Sequence, residues 1–147
     1  MQGVLQKMKV HLEDEVIYSL HLGDEKVQMN SFINKNILLE WNGDIFCNSC
    51  SKKIKKTFGD GFCYTCFTIA PEATECTIRP ELCRAHLGEG RDVEWEQKNH
   101  NQPHIVYLAA SDKVKVGVTR ITQVPTRWID QGASAAIRIA ETPNRYE

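Results

Sequence analysis

The chain lacks what would place it across a membrane or make it a general polyanion binder. None of its apolar runs approaches the roughly 18 to 20 residues that a bilayer-crossing helix needs, so no membrane partner is expected. Net charge is nearly absent, −1 from 18 basic and 19 acidic side chains, which excludes a generally basic nucleic-acid binder, because neutralising phosphates takes clustered lysine and arginine. The N-terminal stretch Met1-Gln-Gly-Val-Leu-Gln-Lys7 has no apolar signal region, from which a reducing, cytoplasmic location is expected. What remains is an ordinary globular chain of 147 residues, 41% apolar, long enough for one domain or two small ones.

Against that background the cysteines stand out. Cys47 with Cys50 and Cys63 with Cys66 form two Cys-x-x-Cys pairs separated by twelve residues. Zinc takes four soft or borderline ligands at tetrahedral corners, and each such knuckle delivers two thiolates from one tight turn. The stretch between them suffices for two short strands and a turn at Gly59-Asp60-Gly61, so the knuckles are expected to close on each other as a zinc ribbon. Two other uses compete. A dithiol redox motif opens a helix after a strand in a thioredoxin-like unit, which these flanks do not resemble, and disulfides need an oxidising compartment.

Charge is uneven along the chain. Residues 1–50 carry four lysines against seven acids, whereas residues 51–80 carry five basic groups against three. Lys52, Lys53, Lys55 and Lys56 crowd the stretch between the knuckles. Lys53 and Lys55, with Arg120 and Arg127 further on, are candidate phosphate contacts for a nucleic-acid partner. The competing use of the lysines is a solvated hairpin face that keeps a small domain soluble.

Up to residue 46 the sequence reads as strand. Val4, Gln6, Met8, Val10 and Leu12 alternate with Leu5, Lys7, Lys9 and His11, and Val16, Tyr18, Leu20 and Leu22 repeat the pattern. Gly23-Asp24 makes a turn before Val27 and Met29, and Ile37, Leu39 and Trp41 give a further strand ended by Asn42-Gly43. The expectation is a small antiparallel sheet or partial barrel over 1–46, with His11 and His21 on outward faces. The ribbon then occupies 47–67.

Residues 68–104 have weak periodicity and hold Cys76, Cys83, His86, His100 and His104. A loop-rich segment of this length buries too little apolar surface to order itself, so a second zinc clip is expected from Cys76, Cys83 and His100, with His86 as fourth ligand and His104 as the substitute. Buried free thiols at Cys76 and Cys83 are the alternative.

Residues 105–147 change character. Ile105–Ala110 and Val114–Val118 read as a hairpin turning at Asp112-Lys113. A helix follows, with Thr122 as N-cap, Pro125 in its first turn, Trp128 and Ile129 facing the core and Gly132 as the stop; Ala135–Ala140 returns as a strand. Thr142-Pro143 announces another helix that four remaining residues cannot complete, and the sheet face with Ile105, Val116 and Ile137 lacks a covering layer. The expectation is therefore a longer protein, or a partner protein that covers the last strands.

Met1–Met8, Phe46–Cys50, Gly61–Phe67, Arg79–Leu82 and above all Lys115–Arg120 with Arg127–Ala133 resemble a family of bacterial proteins of unknown function, domain family 2797. Its members are typically longer than this chain. The C-terminal part is also similar to the GIY-YIG nuclease superfamily, in which strand, strand, helix, strand and helix follow one another. That resemblance implies a partial α/β sheet with Tyr107 on the first strand, Lys115 and Gly117 on the second and Arg127 on the helix as candidate catalytic residues. In a full-length nuclease a further glutamate would hold Mg2+; Glu147 falls too early for that role, and Lys115 stands where many members carry a second tyrosine, so hydrolysis by this chain alone is not expected. The overall expectation is an α+β protein that binds one or two zinc ions, associated with nucleic acid through its C-terminal part. The competing reading is a zinc-stapled protein-interaction module.

Overall fold

The computed structural model describes residues 1–147 and resolves into three small antiparallel sheets with short helices between them. The first is a meander of β1 (Lys9–Leu12), β2 (Val16–Leu22) and β3 (Glu25–Gln28), paired Val10 to Tyr18 and Leu20 to Val27 across the two hairpins. It is an open three-stranded sheet and not a barrel. The stretch before β1 only bridges to it, through Leu5 opposite Leu22. His11 is exposed as expected, but His21 is half-buried with its Nε2 enclosed.

The strand expected at Ile37, Leu39 and Trp41 does not form. No neighbouring strand is available to pair with it, so alternation there leaves apolar side chains in solvent, Leu38 at 82% and Trp41 at 73% exposure. The Asn42-Gly43 turn is present: the Asn42 side chain accepts from the Asp44 N–H at 3.0 Å.

The second sheet is the pair β4 (Ile45–Phe46) and β5 (Lys53–Ile54), from which the first cysteine knuckle hangs. The second knuckle runs into helix α1 (Tyr64–Ile69), whose N-cap is Cys63. The segment that follows is more ordered than its sequence promises. Three-residue 3-10 turns begin at Pro71 and Pro80, where a proline's missing N–H costs nothing, and α2 (Val93–His100) is capped by Asp92 accepting from the Trp95 N–H at 2.9 Å.

The third sheet has the order β7-β6-β8, with β6 (His104–Ala110) central between β7 (Val114–Arg120) and β8 (Ala135–Thr142). The hairpin, helix and returning strand thus follow in the order the sequence indicates. The helix, α3 (Thr126–Asp130), starts later than expected: Thr122 caps nothing and lies in a 3-10 turn, and Pro125 is the N-cap residue. Ile105, Tyr107 and Ala109 point to one face, where Ile121, Val124, Trp128, Ala133 and Ala136 cover them. The opposite face is open. Val116, Leu108 and Ile137 stand in one cross-strand row, Val116 and Ile137 being 71% and 63% exposed. Ile105 belongs to the covered face, opposite to the placement read from sequence, because it is an odd number of residues from Leu108 on the same strand. Ile129 faces away from that core and lines a groove with Met8, just before β1, and with Val10 and Tyr18 of the first sheet.

Candidate metal centre

The first knuckle is shaped by backbone hydrogen bonds. Cys47 donates to Lys52 at the end of the β4–β5 pair, and Ser51, with φ of 57°, donates back to Cys47 at 2.9 Å, folding Cys50 under Cys47. The second is set by a tight loop in which Phe58 and Phe62 exchange both hydrogen bonds, 2.8 and 3.0 Å. Asn48 joins the two: its N–H donates to Gly61 O at 2.9 Å and its side chain to Asp60 O at 2.6 Å. Gly61 has φ of 95°, and a Cβ there would overlap the Asn48 side chain, so both backbone and packing require glycine.

These contacts bring the sulfurs of Cys47, Cys50, Cys63 and Cys66 within 4.8 Å of one another. Cys50 Sγ and Cys63 Sγ are 3.9 Å apart. A zinc ion with Zn–S bonds of about 2.3 Å needs sulfurs separated by about 3.8 Å at the corners of a tetrahedron, so the donor set fits. The surroundings also favour thiolates. Cys47 Sγ accepts from the backbone of Cys50, Cys63 and Ser49, the Cys63 contact being 3.1 Å, and Cys63 Sγ accepts from the Cys66 N–H at 3.4 Å.

Two of the four thiols are driven in opposite directions. Hydrogen bonds, the Cys50 backbone first among them, bring Cys47 down to about 6. Cys66 is lowered by the Ser49 hydroxyl, yet the thiols of Cys63, Cys50 and Cys47 together with burial outweigh it and push it up to about 12. A divalent cation removes that opposition, since it stabilises all four thiolates at once.

A second group, Cys76, Cys83 and His100, lies within the same 4.8 Å limit and all three residues are buried. His86 is not among these converging donors. Its ring packs on Tyr146 with centroids 4.7 Å apart. Arg145, which no motif singles out, donates to the carbonyls of Cys76 (2.9 Å) and Thr77 (2.5 Å), while its own N–H donates to His100 O at 2.9 Å. Only a three-dimensional view could find it, because it acts across nearly seventy residues of chain.

The candidate catalytic residues are dispersed in character. Tyr107 is 1% exposed, its ring against Trp128 and its hydroxyl donating to Gln131 Oε1 at 3.1 Å. Lys115 is on the surface, 3.1 Å from Asp112, and Arg127 lines the groove beside β1. Gly117 sits directly opposite Tyr107, and a Cβ on it would lie 2.5 Å from that ring, so it makes room for an aromatic side chain and is not the site of the sheet's bulge, which falls on β8 opposite Val106 and Tyr107. Among the candidate phosphate contacts, Lys53 is paired to Asp44 at 2.6 Å, Arg120 to Asn99, and Lys55 is exposed.

Fold and site together define a mixed α+β protein with three small antiparallel sheets and a four-cysteine centre of the kind that holds zinc. The chain belongs to the family described as "Protein of unknown function (DUF2797)", which matches residues 34–147. The match leaves out Met1–Met8. No curated protein and no solved structure matches the chain, and nothing in these comparisons supports the likeness to GIY-YIG nucleases. No helix is long and apolar enough to cross a membrane.

Proposed function

We propose that this is a zinc-stapled interaction module: the four-cysteine centre is structural, and the open face of the third sheet is the surface that meets a protein partner. The carrying observation is the closed set of four converging sulfurs. A catalytic zinc keeps one position for water or substrate, whereas four cysteines leave none. The row Val116, Leu108 and Ile137 supplies the apolar surface such a partner would bury.

The nuclease reading asks for a reactive Tyr107, and a phenol enclosed by Trp128 with its proton committed to Gln131 is a packing residue. Nucleic-acid association without hydrolysis is the second reading. It is favoured by Lys52 and Lys55, which are exposed on the ribbon and take part in no ion pair.

One experiment separates these. Affinity capture with the zinc-loaded protein should retain a partner after nuclease treatment, and Val116→Lys with Ile137→Lys should release it while the melting temperature stays put. Capture that disappears with nuclease, or that weakens steeply between 50 and 200 mM salt and depends on Lys52 and Lys55, would transfer the conclusion to nucleic acid.

A further inference from the structure

The Cys76, Cys83 and His100 group is one donor short of the tetrahedron that a structural zinc requires. His100 Nδ1 lies 3.7 Å from Cys76 Sγ. Three donors, all buried, converge here from a 3-10 turn, the loop after the next one, and the C-terminal end of α2.

His104, the first residue of β6, has the character of the missing ligand. Its side chain has no solvent exposure, and its Nδ1 lies 2.7 Å from the Gln102 carbonyl oxygen. That oxygen can only accept, so the proton is on Nδ1 and Nε2 is left as a bare lone pair. Nε2 is buried and has no hydrogen-bond partner. His100 and His104 are separated by three residues, the spacing found in zinc-binding histidine pairs.

We propose that Cys76, Cys83, His100 and His104 form a second, Cys2His2 zinc site, independent of the ribbon, that ties the loop-rich segment and α2 to the central strand of the third sheet. Two thiolates and two neutral imidazoles balance a divalent cation, so no net charge is buried with it. The outer contacts suit that role. Thr74 Oγ1 lies 3.3 Å from Cys76 Sγ, the Ala85 N–H donates to Cys83 Sγ, and the Arg145 clamp holds the Cys76 turn against the end of α2. Two other groups lie near. Glu96 Oε2 is 3.9 Å from His100 Nδ1, but its Oε1 is committed to the Arg91 N–H at 2.8 Å. His86 also carries an unpartnered Nδ1, and like His104 it lies outside the set that converges within 4.8 Å, but its half-buried ring stacks on Tyr146 whereas that of His104 is fully enclosed.

The test is metal analysis of the full chain. Wild type should hold two zinc ions; Cys63→Ser should lose one and keep the other, and Cys83→Ser should lose the other. Cobalt(II) bound to the Cys63→Ser protein should show roughly half the thiolate charge-transfer intensity per metal of cobalt bound to the Cys83→Ser protein, two sulfurs against four. His104→Gln should weaken the second metal at least about tenfold in chelator competition and leave the ribbon metal unchanged. Cadmium-113 spectra of the unaltered protein guard against misfolded variants, and should show one resonance in the all-sulfur range and one in the mixed sulfur–nitrogen range. A single zinc per chain that Cys63→Ser abolishes overturns the proposal. So does a second metal that survives His104→Gln but is lost in His86→Gln or Glu96→Gln. A single zinc that Cys63→Ser leaves in place supports this site and removes the ribbon reading instead.

Discussion

Tyr107 and Gly117 show how much one position can fix. They face each other across β6 and β7, and the ring occupies the space a side chain at 117 would need. Gly117→Ala should therefore overpack the covered face and cost about 1–3 kcal/mol, read as a lower urea midpoint; unchanged stability would mean that the ring has somewhere else to go. Tyr107→Phe, by contrast, removes only a hydroxyl bonded to Gln131, and should cost about 1 kcal/mol. His100 gives a pH dependence. Burial, then the charge of Arg145, lowers it from 6.5 to about 4. The unfolded chain thus takes up a proton that the folded one refuses, so in metal-free protein this contribution is whole above pH 6.5 and falls as the pH drops toward 4. Urea midpoints of the stripped protein between pH 7.5 and 4.5 should decline, and decline less in His100→Gln.

At the scale of elements, the four-cysteine cluster is legible because its signals are local, but the two strands expected between the knuckles are not there: only β5 lies between them, paired with β4 ahead of Cys47, and the second knuckle opens α1. Two Cys-x-x-Cys spacings and a Gly-Asp-Gly loop determine where each knuckle bends, and β6, β7 and β8 could be read from alternation and turn residues. The failures have physical causes. Ile37–Trp41 alternates like a strand, but a strand is made by its neighbour, and no neighbour is there. Helix α2 was missed because its apolar residues, Val93 and Trp95, do not repeat at helical spacing. Its signature was electrostatic instead, with Asp92, Glu94 and Glu96 at the start and Lys98 and His100 at the end. The choice between His86 and His104 as fourth ligand has no local sequence signal, because the tautomer and enclosure on which our proposal of His104 rests are set by tertiary packing. The joint between the knuckles should be fragile in a defined way. Gly61→Ala meets both a disfavoured φ and the Asn48 side chain, and should weaken zinc binding in chelator competition, whereas Gly88→Ala, also at positive φ but with nothing near its Cβ, should leave zinc affinity unchanged.

For the whole molecule the decisive fact is how little is buried. Only 16 of 147 residues are enclosed, and the apolar ones fall into three separate clusters of four, three and three. Two of those clusters are built around cysteines, Cys47 with Cys66 and Cys76 with Cys83. A core divided this way gives each part little hydrophobic burial, and a metal at the four-cysteine site would supply there what area does not. The third sheet differs, with strands of seven or eight residues and an aromatic core around Tyr107, whereas the ribbon has two-residue strands and a six-residue helix that is too short to persist alone. Stripping zinc with a chelator at neutral pH should therefore act unevenly. Hydrogen exchange read by mass spectrometry should show amides of residues 45–70 losing protection, those of 105–110 and 114–119 keeping most of theirs, and zinc restoring the first set. Uniform loss across all three sheets would mean the metal supports the whole fold cooperatively. Ribbon amides that stay protected in the stripped protein would show that the four sulfurs are not what holds it.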